Sequence, residues 1–207
     1  MKKTLVCAFG RANIFHKGHM ALVSEIERIA KQHDADPAVF LSHTENKKNP
    51  LPYDVKAKLM NKWTRGTVKL DPDTKVKIIG NLLHYANEHD YENIIIVCGS
   101  DRYPEYSKSL PAFAESRDYF KFKSVKVMAL QRDPDADEND AASMSGTAMR
   151  KYVTDNDFES FRKSLPDPCT DAEAKIVWKL AQKGLGVKGL TESILSYKDF
   201  KVLNETE

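Results

Sequence analysis

The chain has 207 residues, 41% of them hydrophobic and 30% charged, and its 32 basic and 30 acidic side chains leave a net charge of +2. That balance excludes a disordered chain and argues against a dedicated nucleic-acid binder, while leaving room for a local basic pocket that takes a small anion. No apolar run approaches the roughly 20 residues that cross a bilayer, and the run ending at Phe9 is too short for a secretory signal, so a cytoplasmic protein with no membrane partner is expected.

Leu5 to Phe9 is a continuous apolar run that stops at Gly10, the pattern of a strand covered on both faces. After the turn from Gly10 to Lys17, Leu22, Val23, Ile26, Ile29 and Ala30 recur at helical spacing. Ala38 to Ser42 is the next strand. Glu45 to Pro52 is a polar loop with two prolines, leading to a helix with Val55, Leu59, Met60 and Trp63 on one face. Thr67 to Leu70 is expected as a short strand, and Asp73 or Thr74 as the cap of a helix running through Val76, Ile79, Leu83 and Ala86.

Ile94 to Cys98 is the clearest buried strand, ended by Gly99. A helix from Tyr103 to Leu110 is expected to stop at Pro111, and Ser124 to Leu130 is a further strand. The acidic stretch Arg132 to Asp140 is expected as a solvated loop rather than a metal site, because its carboxylates lack ligand spacing. Helices follow from Gly146 to Val153, after Ser145, and from Phe158 to Leu165, stopped by Pro166. Thr170 and Glu173 have the spacing of a capping box that opens a helix bearing Ile176, Val177, Leu180 and Ala181 and closing near Gly184. Leu185 to Glu207 shows little periodicity.

Alternating strands and helices imply an α/β fold, a doubly wound parallel sheet of Rossmann-like type. Ligands in such sheets sit beyond the strand carboxyl ends where the order switches, and Gly10 and Gly99 both fall at such ends. Cys7, Cys98 and Cys169 form neither a metal-spaced pair nor a disulfide framework. They are expected as small buried hydrophobes in a reducing compartment.

Three segments carry candidate chemistry. In the first, Gly10 allows a sharp turn before Arg11, and His16, Lys17, Gly18 and His19 stand at a helix start. Helix N-termini offer unpaired N–H groups and a positive dipole end to a phosphate. Two imidazoles two residues apart, with Lys17 between, can converge on one phosphate group, and Gly18 removes a side chain where a planar base approaches. Two surface histidines beside a helix start are the plainer reading, and a zinc site lacks a third ligand at suitable spacing. In the second, Gly99, Ser100 and Asp101 end a strand and suit a ribose or base pocket, although a helix cap at Ser100 or Asp101 is equally open. In the third, Ser143 and Met144 lead into Ser145, Gly146 and Thr147 at another helix start, with Arg150 one turn on, an arrangement able to clasp distal phosphates or serve only as a serine cap.

Together these segments resemble the nucleotidyltransferase superfamily with the His-x-Gly-His signature. Gly10-Arg11 leading to His16-Lys17-Gly18-His19, Asn49-Pro50-Leu51 before a helix, and Ser145-Gly146-Thr147-Ala148-Met149-Arg150 are similar to segments of archaeal-type nicotinamide-mononucleotide adenylyltransferases. Lys47 to Leu51, Gly99 to Arg102 and Arg132 to Asp137 also resemble nucleotidyltransferases encoded by tailed bacteriophages, which would place the protein in a host cytoplasm. The resemblance covers about residues 4 to 165 and departs at Ala12, Asn13 and Ile14, where the archaeal pattern has Phe, Gln and Pro.

The resemblance implies a nucleotidyltransferase domain over residues 1–168 with a short helical C-terminal extension over 169–207. It implies attack by a small phosphorylated acceptor, nicotinamide mononucleotide above all, on the α-phosphorus of ATP, with Mg²⁺ arriving on the nucleotide and pyrophosphate leaving. His16 and His19 would bind α- and β-phosphate oxygens, and Lys17 and Arg150 would add positive charge. Arg11 would touch the triphosphate or the acceptor, Ser145, Gly146 and Thr147 would hold the distal phosphates, and Gly99 and Asp101 would line the nucleoside pocket beside Ser100. Homo-oligomerisation stays open. The rivals are a cytidylyltransferase, which typically carries a different Ser/Thr stretch; a class I aminoacyl-tRNA synthetase, which lacks room here for an anticodon domain; and a non-catalytic virion or partner-binding protein of the same fold. For Trp178, a core position is expected before a docking one.

Overall fold

The computed structural model describes residues 3–70, 76–130 and 144–187. In chain order, the described residues form β1 (Thr4–Gly10), α1 (Lys17–Gln32), β2 (Asp36–Leu41), α2 (Tyr53–Trp63), α3 (Asn81–Glu88), β3 (Asn93–Gly99), α4 (Tyr103–Glu115), β4 (Ser124–Leu130), α5 (Gly146–Thr154), α6 (Phe158–Ser164) and α7 (Asp171–Leu185). They divide into two compact units, one over 1–10, 22–42 and 67–134, the other over 11–21, 43–66 and 135–207. The proposed cap at Asp73 or Thr74, the acidic stretch 132–140, Ser143 and the tail beyond 187 lie outside the described residues.

The first unit holds the sheet. All its strands run parallel in the order β2-β1-β3-β4, so the chain winds one way from β1 to β2 and the other way from β3 to β4. The order therefore reverses between β1 and β3, the strands that end at Gly10 and Gly99. This is the Rossmann-like α/β arrangement expected from the alternation of elements. Leu5, Cys7, Ala38, Phe40, Ile94 and Ile96 point to one face and pack with Leu82, Leu83 and Ala86 of α3 and Leu110 and Ala114 of α4. The alternate residues Val6, Ala8, Val39, Leu41, Ile95 and Val97 are buried too. Covering on both faces explains why the strands read as continuous apolar runs.

Three local expectations fail here for physical reasons. Thr67 to Leu70 is not a strand but a single bridge, Val39 to Val68, made by Val39 N–H to the Thr67 carbonyl (2.9 Å) and Lys69 N–H to the Val39 carbonyl (2.8 Å). Leu70 faces solvent, so no buried side chain extends the ladder. The helix expected through Val76 begins only at Asn81, because the Asn81 side-chain oxygen accepts the N–H groups of Lys77 and Ile78 (3.2 Å each) and offers them a turn instead. Pro111 does not stop α4, which runs on to Glu115. Burial of Leu110 and Ala114 on either side of the proline outweighs the one backbone bond it cannot donate.

The second unit packs α5, α6 and α7 on one another. Trp178 is buried in its core, meeting Phe158 and Phe161 edge-to-face at 5.3 and 5.0 Å. The capping box at Thr170 and Glu173 forms as expected, with Thr170 accepting from Glu173 N–H and the Glu173 carboxylate accepting from Thr170 N–H. The helix closes at Gly186, in left-handed backbone with φ +68°, not at Gly184. The three cysteines are free and buried. Burial pushes the Cys7 and Cys169 thiols up to about 12.

Candidate phosphate site in the second unit

The turn after Gly10 is more interior than two surface histidines would be. Ala12, Asn13, Ile14, Phe15 and His16 are all buried, with Lys17, Gly18 and His19 half-buried and Arg11 exposed. Ala12 takes φ +36°, a left-handed conformation that costs an alanine about 1 kcal/mol or more. The surrounding bonds hold it. Asn13 Nδ2 donates to the Lys48 carbonyl (3.1 Å), and its Oδ1 accepts from Leu51 N–H (3.4 Å).

Lys56 holds the turn from α2. Its ammonium donates to the Arg11 carbonyl (3.1 Å), and the whole residue is buried. Burial lowers its pKa to about 8, and the Glu45 carboxylate acts in the opposite direction. Glu45 in turn accepts from Tyr53 N–H (2.8 Å) at the start of α2.

The carbonyl of His16 receives His19 N–H (2.8 Å) and Met20 N–H (3.3 Å), the first bonds of α1. His16 N–H donates to Nδ1 of His19 (3.3 Å). An accepting Nδ1 carries no proton, so in the neutral ring of His19 the proton sits on Nε2. The two imidazoles lie with centroids 3.9 Å apart, and Phe15 stacks on His19 at 5.3 Å. No acidic residue stands in the first turn of α1, so its dipole end is unopposed for an anion. Lys17 forms an ion pair with Asp167 (3.2 Å), both ends solvent-accessible.

The third motif forms the start of α5. Ser145 is its N-cap and accepts from Ala148 N–H (3.2 Å), again with no acidic residue in the first turn. Arg150 reaches back along the helix. One guanidinium nitrogen donates to Thr147 Oγ1 (3.0 Å) and the other to the Lys48 carbonyl (3.3 Å). A methyl at Gly146 would stand 3.4 Å from that guanidinium, within contact of it. The fork has donors left over for a phosphate.

Asn13 and Arg150 thus meet on one acceptor. The Lys48 carbonyl joins the histidine turn to the Ser-Gly-Thr helix across 137 positions of sequence (150 − 13). The segment presenting it is a tight strap. Asn46 and Asn49 exchange backbone bonds (3.0 and 2.7 Å), and Asn46 Oδ1 also accepts from Lys48 N–H (2.9 Å) and Asn49 Nδ2 (2.8 Å). Lys47 and Lys48 are exposed at its tip.

Gly10, Gly99, Ser100 and Asp101 lie in the first unit, at the carboxyl ends of β1 and β3. Neither Ser100 nor Asp101 caps α4; Arg102 occupies the N-cap position without a side-chain cap bond. Asp101 is exposed and curls back over Gly99, where an added Cβ would be 2.6 Å from its Oδ1. Among the described residues no group of three His, Cys, Asp or Glu side chains gathers to hold a metal ion.

Sequence reasoning missed Lys56 and read Glu173 only as half of a capping box, although the inward turn of each left a trace. Lys56 heads the helical stripe Leu59, Met60, Trp63, and Glu173 heads the stripe Ile176, Val177, Leu180. A charged residue at the first position of such a stripe points inward with its apolar neighbours.

A parallel sheet reversing between β1 and β3, followed through the chain by two acid-free helix starts, is the Rossmann-like fold of nucleotidyltransferases. The chain belongs to the cytidylyltransferase-like family, whose sequence pattern matches residues 7–152. It is a nucleotidyltransferase. Its fold is similar to that of the nicotinic acid mononucleotide adenylyltransferase of Plasmodium falciparum, solved with NaAD (TM-score 0.56, 13% identity, 88% of this chain and 96% of that one). It is also similar to a nicotinate-nucleotide adenylyltransferase, so described provisionally, of Vibrio parahaemolyticus (TM-score 0.53, 15% identity, 85% and 99%). No curated protein matches the chain in sequence. No helix among the described residues is long and apolar enough to cross a membrane.

Proposed function

We propose that this enzyme transfers AMP from ATP to a small phosphorylated acceptor, nicotinamide mononucleotide, releasing pyrophosphate. The observation that carries the reading is the shared Lys48 carbonyl, on which Asn13 of the histidine turn and Arg150 of the Ser-Gly-Thr helix converge. Two helix starts without an acidic residue in the first turn, together with a cationic fork, are what a triphosphate tail needs. The proteins of similar fold are described by their names as mononucleotide adenylyltransferases, which supports adenylyl transfer to a mononucleotide.

In this reading an acceptor phosphate oxygen attacks the α-phosphorus of ATP, a new P–O–P link forms, and the bond from the α-phosphorus to the bridging oxygen breaks toward pyrophosphate. No protein nucleophile is required, so positioning and charge neutralisation supply the catalysis. His16 and the Nε2–H of His19 hold α- and β-phosphate oxygens. Lys17 leaves Asp167 for the phosphates, and Arg150, Ser145, Gly146 and Thr147 hold the distal ones. Arg11 faces the triphosphate or the acceptor, and Gly18 admits the nucleotide closely. Mg²⁺ enters as part of the substrate, bound to phosphate oxygens and water.

The second reading is cytidylyl transfer from CTP, favoured by the family to which the chain belongs. The test is pyrophosphate release with each of the four nucleoside triphosphates against nicotinamide mononucleotide, nicotinic acid mononucleotide and other phosphorylated acceptors. The proposal expects ATP with a pyridine mononucleotide to be fastest. Turnover with CTP alone replaces the donor, and no turnover or nucleotide binding at millimolar ATP leaves a partner-binding protein.

A further inference from the structure

α7 lies outside residues 7–152, the span that defines the family, yet two lines of contact run from it to the candidate phosphate site. The first starts at Glu173, whose side chain is 1% exposed. Its Oε2 accepts from the indole Nε1–H of Trp63 (3.2 Å), and Lys62 Nζ stands 3.0 Å from Oε1. Trp63 packs on Phe15 with ring centroids 6.2 Å apart, and Phe15 stacks on His19. The second starts at Gly184. A Cβ there would lie 2.4 Å from the Pro50 carbonyl oxygen and 2.7 Å from Pro50 Cα, so only glycine lets α7 approach this closely. Pro50 belongs to the strap whose Lys48 carbonyl takes Asn13 and Arg150.

We propose that α7 is a positioning element of the active site, with Glu173 setting the His19 imidazole through Trp63 and Phe15, and Gly184 setting the strap through Pro50. The proposal rests on the reading of His16–His19 as the catalytic turn. Trp63 meets Phe15 at a 36° tilt, and its directional bond to a fixed carboxylate holds the indole at that tilt. The carboxylate is fixed because Thr170 N–H (2.8 Å) and Thr170 Oγ1–H (3.0 Å) also donate to it. Catalysis falls steeply with small misplacement of a donor, so a remote bond of this kind is read in turnover rather than in substrate binding.

The experiment measures kcat, the KM for ATP and thermal stability of the full chain carrying Trp63→Phe, Glu173→Ala, Glu173→Gln, Gly184→Ala, Phe158→Leu or His19→Ala. Trp63→Phe keeps a ring against Phe15 while removing the indole donor and part of the indole volume, so it reports even if Glu173→Ala does not fold. Trp63→Phe and Glu173→Ala are expected to lower kcat about fivefold, roughly the factor carried by one hydrogen bond, with less change in KM. Glu173→Gln should recover most of the loss, since its amide oxygen still accepts from Trp63. Gly184→Ala should lower kcat as well. Phe158→Leu, in the aromatic cluster with Trp178, should reduce stability while leaving kcat unchanged. The proposal is overturned if Trp63→Phe turns over like the wild type, or if Phe158→Leu loses kcat to the same extent. If His19→Ala retains full turnover, the catalytic turn itself is misassigned and this proposal falls with it; if only His19→Ala is impaired, the positioning role alone is refuted.

Discussion

Lys56→Met is a perturbation whose effect follows from the fold with a definite sign. Lys56 is 1% exposed with its ammonium on the Arg11 carbonyl, and burial brings its pKa from an ordinary 10.5 to about 8. At 1.36 kcal/mol per pH unit, keeping that charge in the folded protein at neutral pH costs about 3 kcal/mol. Methionine removes the cost and also removes an ammonium–carbonyl bond of about 1.5–3 kcal/mol, so the two proteins should be close in stability at pH 7. They should separate as the pH rises. The folded value lies below the unfolded one, so between them the unfolded chain holds more protons and the wild type gains stability. From pH 7 to pH 9 that gain is about 1.3 kcal/mol, or roughly 3–5 °C in apparent Tm for a chain of this size. The thiols of Cys7 and Cys169 act oppositely: raised to about 12, they contribute stability that is whole below pH 9 and drains away above it. Both proteins share that loss, so the readout is the gap between them, measured by thermal melts at pH 7, 8 and 9. A gap that stays constant across the three would mean that Lys56 is not a buried titrating amine.

Further expected outcomes concern the site and the core. His19→Ala should lower turnover about 10²–10³-fold in a pyrophosphate-release assay, the usual loss for one preorganised donor, while its stability drops by only about 1 kcal/mol from the lost Phe15 stack. Arg150→Lys keeps the charge and loses the fork that spans Thr147 and the Lys48 carbonyl; kcat/KM should fall about tenfold or more, the worth of one charge-assisted bond, and a value within twofold of wild type would show that the fork is idle. Ser145→Ala removes the cap of α5 and should destabilise by about 1 kcal/mol in urea melts. The native protein should leave all three cysteines unmodified by a thiol reagent at pH 8 over minutes, because each is buried and burial raises each thiol pKa; rapid labelling of any one would contradict the packing described.

What the sequence determined by itself is everything that a short window encodes. The apolar runs of β1 and β3, the stripes of α1, α2 and α7, the Ser145 cap and the Thr170–Glu173 box were all legible, because burial on a strand or helix repeats at a fixed period and a cap is chemistry between residues three apart. The segments proposed for phosphate were legible for the same reason: each is a helix start marked by glycine, hydroxyl or histidine. Tertiary structure decided where local and distant demands compete. Packing of Leu110 and Ala114 carried α4 past Pro111, and Gly184 was spent on a close approach to Pro50, leaving Gly186 to end α7. The ammonium of Lys56, the carboxylate of Glu173 and the Lys48 carbonyl found partners 45, 110 and 102 positions away. No residue-by-residue pattern encodes such pairs, because a buried polar group needs a donor or acceptor in space, and only the folded chain says which one is within reach.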